Sequence, residues 1–321
     1  MKTLVCPLNW GLGHATRCIP LIKKIMDEGD DVTIVAEGSS LELLKMEFPG
    51  LDFIRHSAFR IQYSPGKSQV VAMIKALPAI VTGTITEHRW LKRLLKTQPF
   101  DRVISDNRFG LFSDKVHSVY ITHQLMIKMP AGLRFLEPAV WLLHRCIICR
   151  YDECYIPDAA SGNGWSGDLG HKYPVPENAI FIGILSRFQS INKPLPDTTY
   201  QRIVLISGVE PHRSIFEKEM LEKYCGDPSR TLLLRGLPDS VNTSGKTTVY
   251  GNVDIIPHLN SEKLATLLTG CTEIVCRSGY STVMDLVALD CIRKAVFVPT
   301  PGQTEQEYLA RYLNKKNKTL Q

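Results

Sequence analysis

One alternation runs through this chain twice and limits what it can fold into. Short apolar, β-branched runs end in turns of small residues, and each turn opens a segment of helical spacing. Residues 2–7 are such a run, and 9–14 form a Gly-containing turn. Residues 16–28 carry Ile19, Leu21, Ile22, Ile25 and Met26 at helical intervals, with Gly29 as a stop signal, and 31–36 form a second strand. Strand, turn, helix, strand is a βαβ unit, whose strands lie parallel because the helix carries the chain back. The alternation predicts further helices at 39–48, 70–96 with a break at Pro78, and 130–150. Further strands fall at 52–55, 102–105, 118–122, 151–156 and 179–182. A Gly/Pro/Ser-rich stretch at 157–177 and a proline-containing link at 186–199 interrupt the pattern. It then restarts, with strands at 203–207, 231–234, 247–250, 273–276 and 295–299, and helices at 212–224, 260–268, 280–289 and 305–316.

A chain of 321 residues is too long for one ordinary core and suits two. The expected fold is α/β, with two Rossmann-like, doubly wound parallel-sheet domains over 1–185 and 186–321. Open sheets of this kind bind ligands at the carboxyl ends of their strands, so two facing sheets make a cleft where two substrates can meet.

Charge and cysteine content narrow the function. The formal net charge of +6 is dispersed, which fits an anionic ligand or membrane surface, whereas nucleic-acid binding calls for a clustered stripe. Nine cysteines, an odd number without framework spacing, read as free thiols of a reducing compartment. The lone pair Cys146 and Cys149 has no second pair at zinc spacing, and its plain reading is two small hydrophobes on a helix. No run reaches the ~18 apolar residues of a spanning helix. The expected location is the cytoplasm, with peripheral membrane contact as an option. A basic amphipathic segment around Arg89, Trp90 and Lys92, and the apolar 134–150, could rest on an anionic leaflet; packing on the sheet is the competing reading.

Five turns carry candidate chemistry. The first holds Asn9, Gly11, Gly13, His14 and Arg17. Its third fingerprint position is Thr16, so a dinucleotide reading is weak even with Glu37 as a possible ribose acid. A histidine at a helix start has its charged form disfavoured and is poised as a neutral base; a purely capping role is the alternative. The second turn holds Asp106 and Asn107, past a strand on the same sheet edge. Asp106 could orient His14, or simply cap a helix. His123 lies on that edge as well. The third turn, Ser207, Gly208 and Arg213, could hold a phosphate. The fourth, Arg277, Ser278, Gly279, Tyr280, Ser281 and Thr282, offers small donors and free N–H groups at a helix start, suited to a diphosphate. Asp285, one helical turn on, could accept from ribose hydroxyls. The fifth carries Glu305 and Gln306, acceptors and donors for a polyol, or merely acids favoured in a first helical turn.

The fourth and fifth turns resemble the GT-B glycosyltransferases, and most nearly the family that adds N-acetylglucosamine to the peptidoglycan lipid intermediate. That pattern runs Arg-Ser-Gly, three residues including Thr, then an acid; here the acid is Asp285 where the family has Glu. Glu305 and Gln306 fall where the family contacts the donor sugar, and Gly11-Leu12-Gly13-His14 matches its N-terminal turn. The third turn departs, with Ser207-Gly208-Val209 in place of Gly-Gly-Ser. The resemblance implies inverting transfer from a UDP-sugar to a saccharide or lipid-linked acceptor, as in bacterial cell-envelope glycan synthesis. It implies no cofactor and no metal, in keeping with the lack of an Asp-x-Asp. His14 and Asp106 would be catalytic. Ser207, Gly208, Arg213, Ile256, Arg277–Thr282, Asp285, Glu305 and Gln306 would bind the donor; Asn9, Gly13, Arg17, Asn107 and His123 would bind the acceptor. A UDP-sugar 2-epimerase and a non-enzymatic sugar-nucleotide-binding subunit are the rival readings.

Overall fold

A computed structural model of the chain describes residues 1–56, 69–160, 162, 164–192, 194–238 and 248–319, with the side chains of 69–76, 318 and 319 left aside. Two sheets divide it. The first contains β1 (Lys2–Pro7), β2 (Asp31–Val35), β3 (Asp52–Ile54), β4 (Arg102–Asp106), β5 (His117–Ile121), β6 (Glu153–Ile156) and β7 (Ala179–Phe181). Its order is β3-β2-β1-β4-β5-β6-β7, all parallel. The second contains β8 (Arg202–Leu205), β9 (Thr231–Leu234), β10 (Thr248–Tyr250), β11 (Val253–Ile256), β12 (Glu273–Cys276) and β13 (Ala295–Phe297), in the order β10-β11-β9-β8-β12-β13. Both are doubly wound, as the alternation predicts, because strands buried on both faces need helices on both.

The helices are α1 (Gly13–Asp27), α2 (Gly38–Glu47), α3 (Gln69–Thr97), α4 (Glu137–Ile148) and the short α5 (Asp168–His171), then α6 (His212–Tyr224), α7 (Ser261–Gly270), α8 (Tyr280–Ala288) and α9 (Thr304–Thr319). Three expectations change. Helix α3 runs through Pro78 without ending. A proline removes one N–H bond, and a helix this long absorbs that loss. Strand β11 has no counterpart in the sequence reading: it is four residues long, interrupted by Asp254, and pairs antiparallel with β10, so the second sheet is mixed at one edge. The 130–150 stretch is a 3-10 turn (Ala131–Leu136) followed by α4, not one helix. No described helix is long and apolar enough to cross a membrane.

Register places the chemistry. Pro7 at the end of β1 pairs with Asp106 at the end of β4, so the carboxylate emerges beneath the first turn of α1. The sheets are joined by polar bonds between small groups. Ser281 donates to the Gly13 carbonyl at 2.8 Å, Tyr280 to the Pro157 carbonyl at 2.8 Å, and Thr304 to the Lys128 carbonyl at 2.6 Å. A Cβ on Gly13 would stand 3.0 Å from the Ser281 hydroxyl, so glycine lets the two turns approach.

Candidate active site

A cleft of about 690 Å³ opens between the carboxyl edges of the two sheets. Its first wall is the turn after β1. Gly11 turns the chain there with φ +70°, a conformation glycine adopts freely. His14, in the first turn of α1, lines the cleft, and its Nδ1 lies 3.1 Å from Asp106 Oδ2. Among the described residues Nε2 has no protein partner. Burial, the largest effect, pulls the ring below its ordinary 6.5; Asp106 opposes this, and the Arg17 cation reinforces it. A neutral imidazole is therefore present at physiological pH.

Asp106 is fully buried, and no helix follows it, so the capping reading falls away. Arg17, 3% exposed, grips it with a two-point fork, Nε to Oδ2 at 2.7 Å and Nη2 to Oδ1. Burial alone would raise this carboxyl, but Arg17 and His14 outweigh it and hold it well below the usual carboxylate range. Arg17 is thus a strut of the wall. The same guanidinium reaches His123 Nδ1 at 3.0 Å, and His123 Nε2 stands 2.9 Å from Glu305 Oε1, across the cleft. The His123 ring stacks on Tyr280 at 4.2 Å. Burial, the largest single effect, would raise Glu305, and the bond and charge of His123 together with Gln124 and His14 outweigh it, leaving the carboxyl below its ordinary value. Asn9 and Asn107 line the same wall; Asn107 takes φ +54°, tolerable for Asn, and accepts from the Tyr120 hydroxyl at 3.0 Å.

The second wall differs from the sequence reading. Gly279, Tyr280, Ser281 and Thr282 line the cleft, but Arg277 and Ser278 do not. The Arg277 guanidinium donates to the carbonyls of Pro299 at 2.9 Å, Val298 at 3.2 Å and His212 at 3.4 Å, and lies 3.9 Å over the Phe216 ring. Burial lowers it to about 10. Ser278 donates to the Gln306 carbonyl at 2.8 Å. Both side chains brace neighbouring turns outside the lining of the cleft. Arg213 lines the cleft but is already matched by Glu210 at 2.7 Å and Glu217 at 2.9 Å. Asp285 accepts from Ser186 at 2.6 Å and lies 3.3 Å from Arg187, which ties α8 to the link between the sheets; burial, the dominant effect, raises it. Ile256 is outside the lining, and its carbonyl accepts from the Arg235 N–H at 3.0 Å, inside the sheet. Gln306 lines the cleft while its side-chain oxygen accepts from the Thr300 N–H at 2.9 Å. Ser207 and Gly208 line it too.

The sequence reading missed His212 and His258. His212 opens α6 in the cleft wall, and its Nε2 is buried without a hydrogen-bond partner. Its place directly after the Ser207–Pro211 turn was the available signal. Burial, reinforced by Arg187, brings His258 to about 4, so it lines the cleft as a neutral ring.

No family model matches the chain, and no curated protein matches it by sequence. Solved structures do. The spinosyn rhamnosyltransferase SpnG superposes with a TM-score of 0.62 at 14% identity, over 98% of this chain and 84% of that one. LpCGTa in complex with UDP gives 0.56 at 10% identity, over 97% and 82%. The UDP-GlcNAc 2-epimerase from Neisseria meningitidis bound to UDP-GlcNAc gives 0.53 at 13%, over 98% and 92%. The likeness is one of fold: the chain has the GT-B architecture of two Rossmann-like domains across a cleft.

Proposed function

We propose that the cleft binds a nucleotide sugar, with UDP as the nucleotide, and that the chain transfers the sugar to an acceptor hydroxyl with inversion and without a metal. One observation carries this reading: His14, held neutral, stands at the turn where the two walls meet, with Nδ1 on a buried carboxylate and Nε2 unengaged. Nε2 takes the acceptor proton, the acceptor oxygen attacks the anomeric carbon, and the bond to the diphosphate breaks. The first turn of α8, with its free N–H groups, would receive the leaving diphosphate in place of a cation. Glu305, anchored by His123, would hold sugar hydroxyls. Proteins of this fold that carry UDP or UDP-GlcNAc in their structures support the choice of donor.

The acceptor side has its own character. Leu77, Val81 and Ile85 form an exposed stripe on α3, and Ile80 of the same helix lines the cleft. Phe135, Leu142 and Leu143 are exposed near Arg134, Arg145 and Arg150. This arrangement suits a lipid-linked acceptor at the anionic cytoplasmic leaflet. Trp90 is not part of it, since it stacks on His56 at 4.0 Å. Vesicles of anionic lipid should sediment the parent chain, and Val81→Glu with Leu143→Glu should release it; a parent that stays in the supernatant ends the membrane reading.

Release of UDP from UDP-sugars tests the function, beginning with a thermal-shift screen of UDP-, GDP- and TDP-sugars. The epimerase neighbour keeps a second reading in view. Conversion of UDP-GlcNAc with no acceptor present would establish that reading instead.

A further inference from the structure

Both walls of the cleft are joined through one side chain. A guanidinium can only donate. Its Nη1, 3.0 Å from His123 Nδ1, therefore finds a bare nitrogen there, and the His123 proton sits on Nε2, directed at Glu305 Oε1 2.9 Å away. On its other side the guanidinium covers the Asp106 carboxylate with its fork; Nη2, 2.9 Å from His14 Nδ1, is committed to Asp106 Oδ1, so Nδ1 keeps its proton for Oδ2 3.1 Å away and Nε2 is the bare nitrogen of the neutral ring. Arg17 and Asp106 together carry no net charge beside His14. A lone carboxylate 3.1 Å from the ring would draw a proton onto it and leave the nitrogen facing the cleft occupied. The other titratable groups near His14 are His123, from the end of β5, and Glu305, from the start of α9. These two are bonded to each other, so the charges that act most strongly on His14, beside its burial, are those of Asp106 and Arg17.

We infer that Arg17 is the positioning residue of this site: it neutralises Asp106 so that His14 stays an unprotonated base, and it fixes the His123 proton toward Glu305 so that the opposite wall is held in register. The inference rests on the reading of His14 as a base. It adds a role to a residue that the resemblance assigns only to the acceptor.

Ring titrations by NMR test it on the full chain without any substrate. The His14 resonance is identified by its loss in His14→Gln. In Arg17→Met the protonated fraction of His14 at pH 6 should rise roughly tenfold, the size expected when one adjacent opposing charge is unmasked. In Arg17→Met with Asp106→Asn, where both charges are gone, His14 should return to the parent titration. Arg17→Lys keeps the cation but lacks the fork, so His123 should pass from a single Nε2–H signature to a mixture of tautomers. A folded Arg17→Met with the parent His14 titration overturns the inference, as does Arg17→Lys with the parent His123 signature. Arg17→Met leaves Asp106 buried and unpaired and can fail to fold; the lysine variant then decides. Loss of the functional reading shows elsewhere, as full turnover in His14→Ala, and leaves these titrations valid.

Discussion

Two turns of this molecule have the same design and opposite orientations. The turn after β1 and the turn after β12 each follow a central strand, lack a side-chain cap, and open a helix facing the cleft. By sequence the second is the richer, with Arg277, Ser278, Ser281 and Thr282 in one run. In three dimensions the first aims His14 at the cleft, whereas the second turns Arg277 and Ser278 inward to carbonyls of the next turn. Residue type alone does not say whether a polar group serves a ligand or the backbone. That depends on which unpaired carbonyls lie within reach, and burial makes their satisfaction costly to forgo.

The sharpest way to break the comparison is to exchange expectations between the turns. His14→Ala should lower kcat by roughly a hundredfold to ten-thousandfold while donor affinity stays within about twofold. The acid limb of the parent profile should lie below pH 6.5, since burial lowers the ring and a neutral base is needed. Arg277→Met should behave oppositely. It strands the carbonyls of Val298, Pro299 and His212 and should cost about 2–4 kcal/mol in urea unfolding, with donor affinity of the folded fraction little changed. A tenfold loss of donor binding at unchanged stability would return Arg277 to the ligand side.

The first wall also predicts a pH dependence of stability. Burial lowers His144 to about 4, and His56 likewise to about 4. The unfolded chain takes up a proton below about pH 6.5 that the folded chain refuses until near pH 4, so stability falls as pH drops through this window. His144 alone should account for about 2 kcal/mol between pH 7 and pH 5, and His144→Gln should flatten that part of the curve. The smallest effect belongs to Ser278→Ala, about 1 kcal/mol for one lost bond, with no change in donor affinity.

How much was legible follows from the same physics. The βαβ alternation was plain because buried parallel strands and their helices imprint two different periods on the chain. Strand β11 was hidden: four residues beside Asn252 and containing Asp254 carry no period, and their pairing with β10 and β9 decides them. The contact of His14 with Asp106 was readable because one follows and the other ends strands that the sheet places side by side. Arg17 was not legible as their partner, since its reach depends on the register of β1 against β4. Nor was the engagement of Asp285 by Ser186 and Arg187, which lie 99 and 98 positions away along the chain.

The central claim is that the cleft is a nucleotide-sugar site, and a calorimetric titration tests it most directly. UDP, GDP and TDP would be titrated into the parent chain and into Thr282→Trp, which fills the first turn of α8. The account predicts a single saturable site for UDP in the parent, weakened at least tenfold in a folded Thr282→Trp. Absence of binding by all three nucleotides, or binding by UDP that the tryptophan leaves untouched, would contradict it.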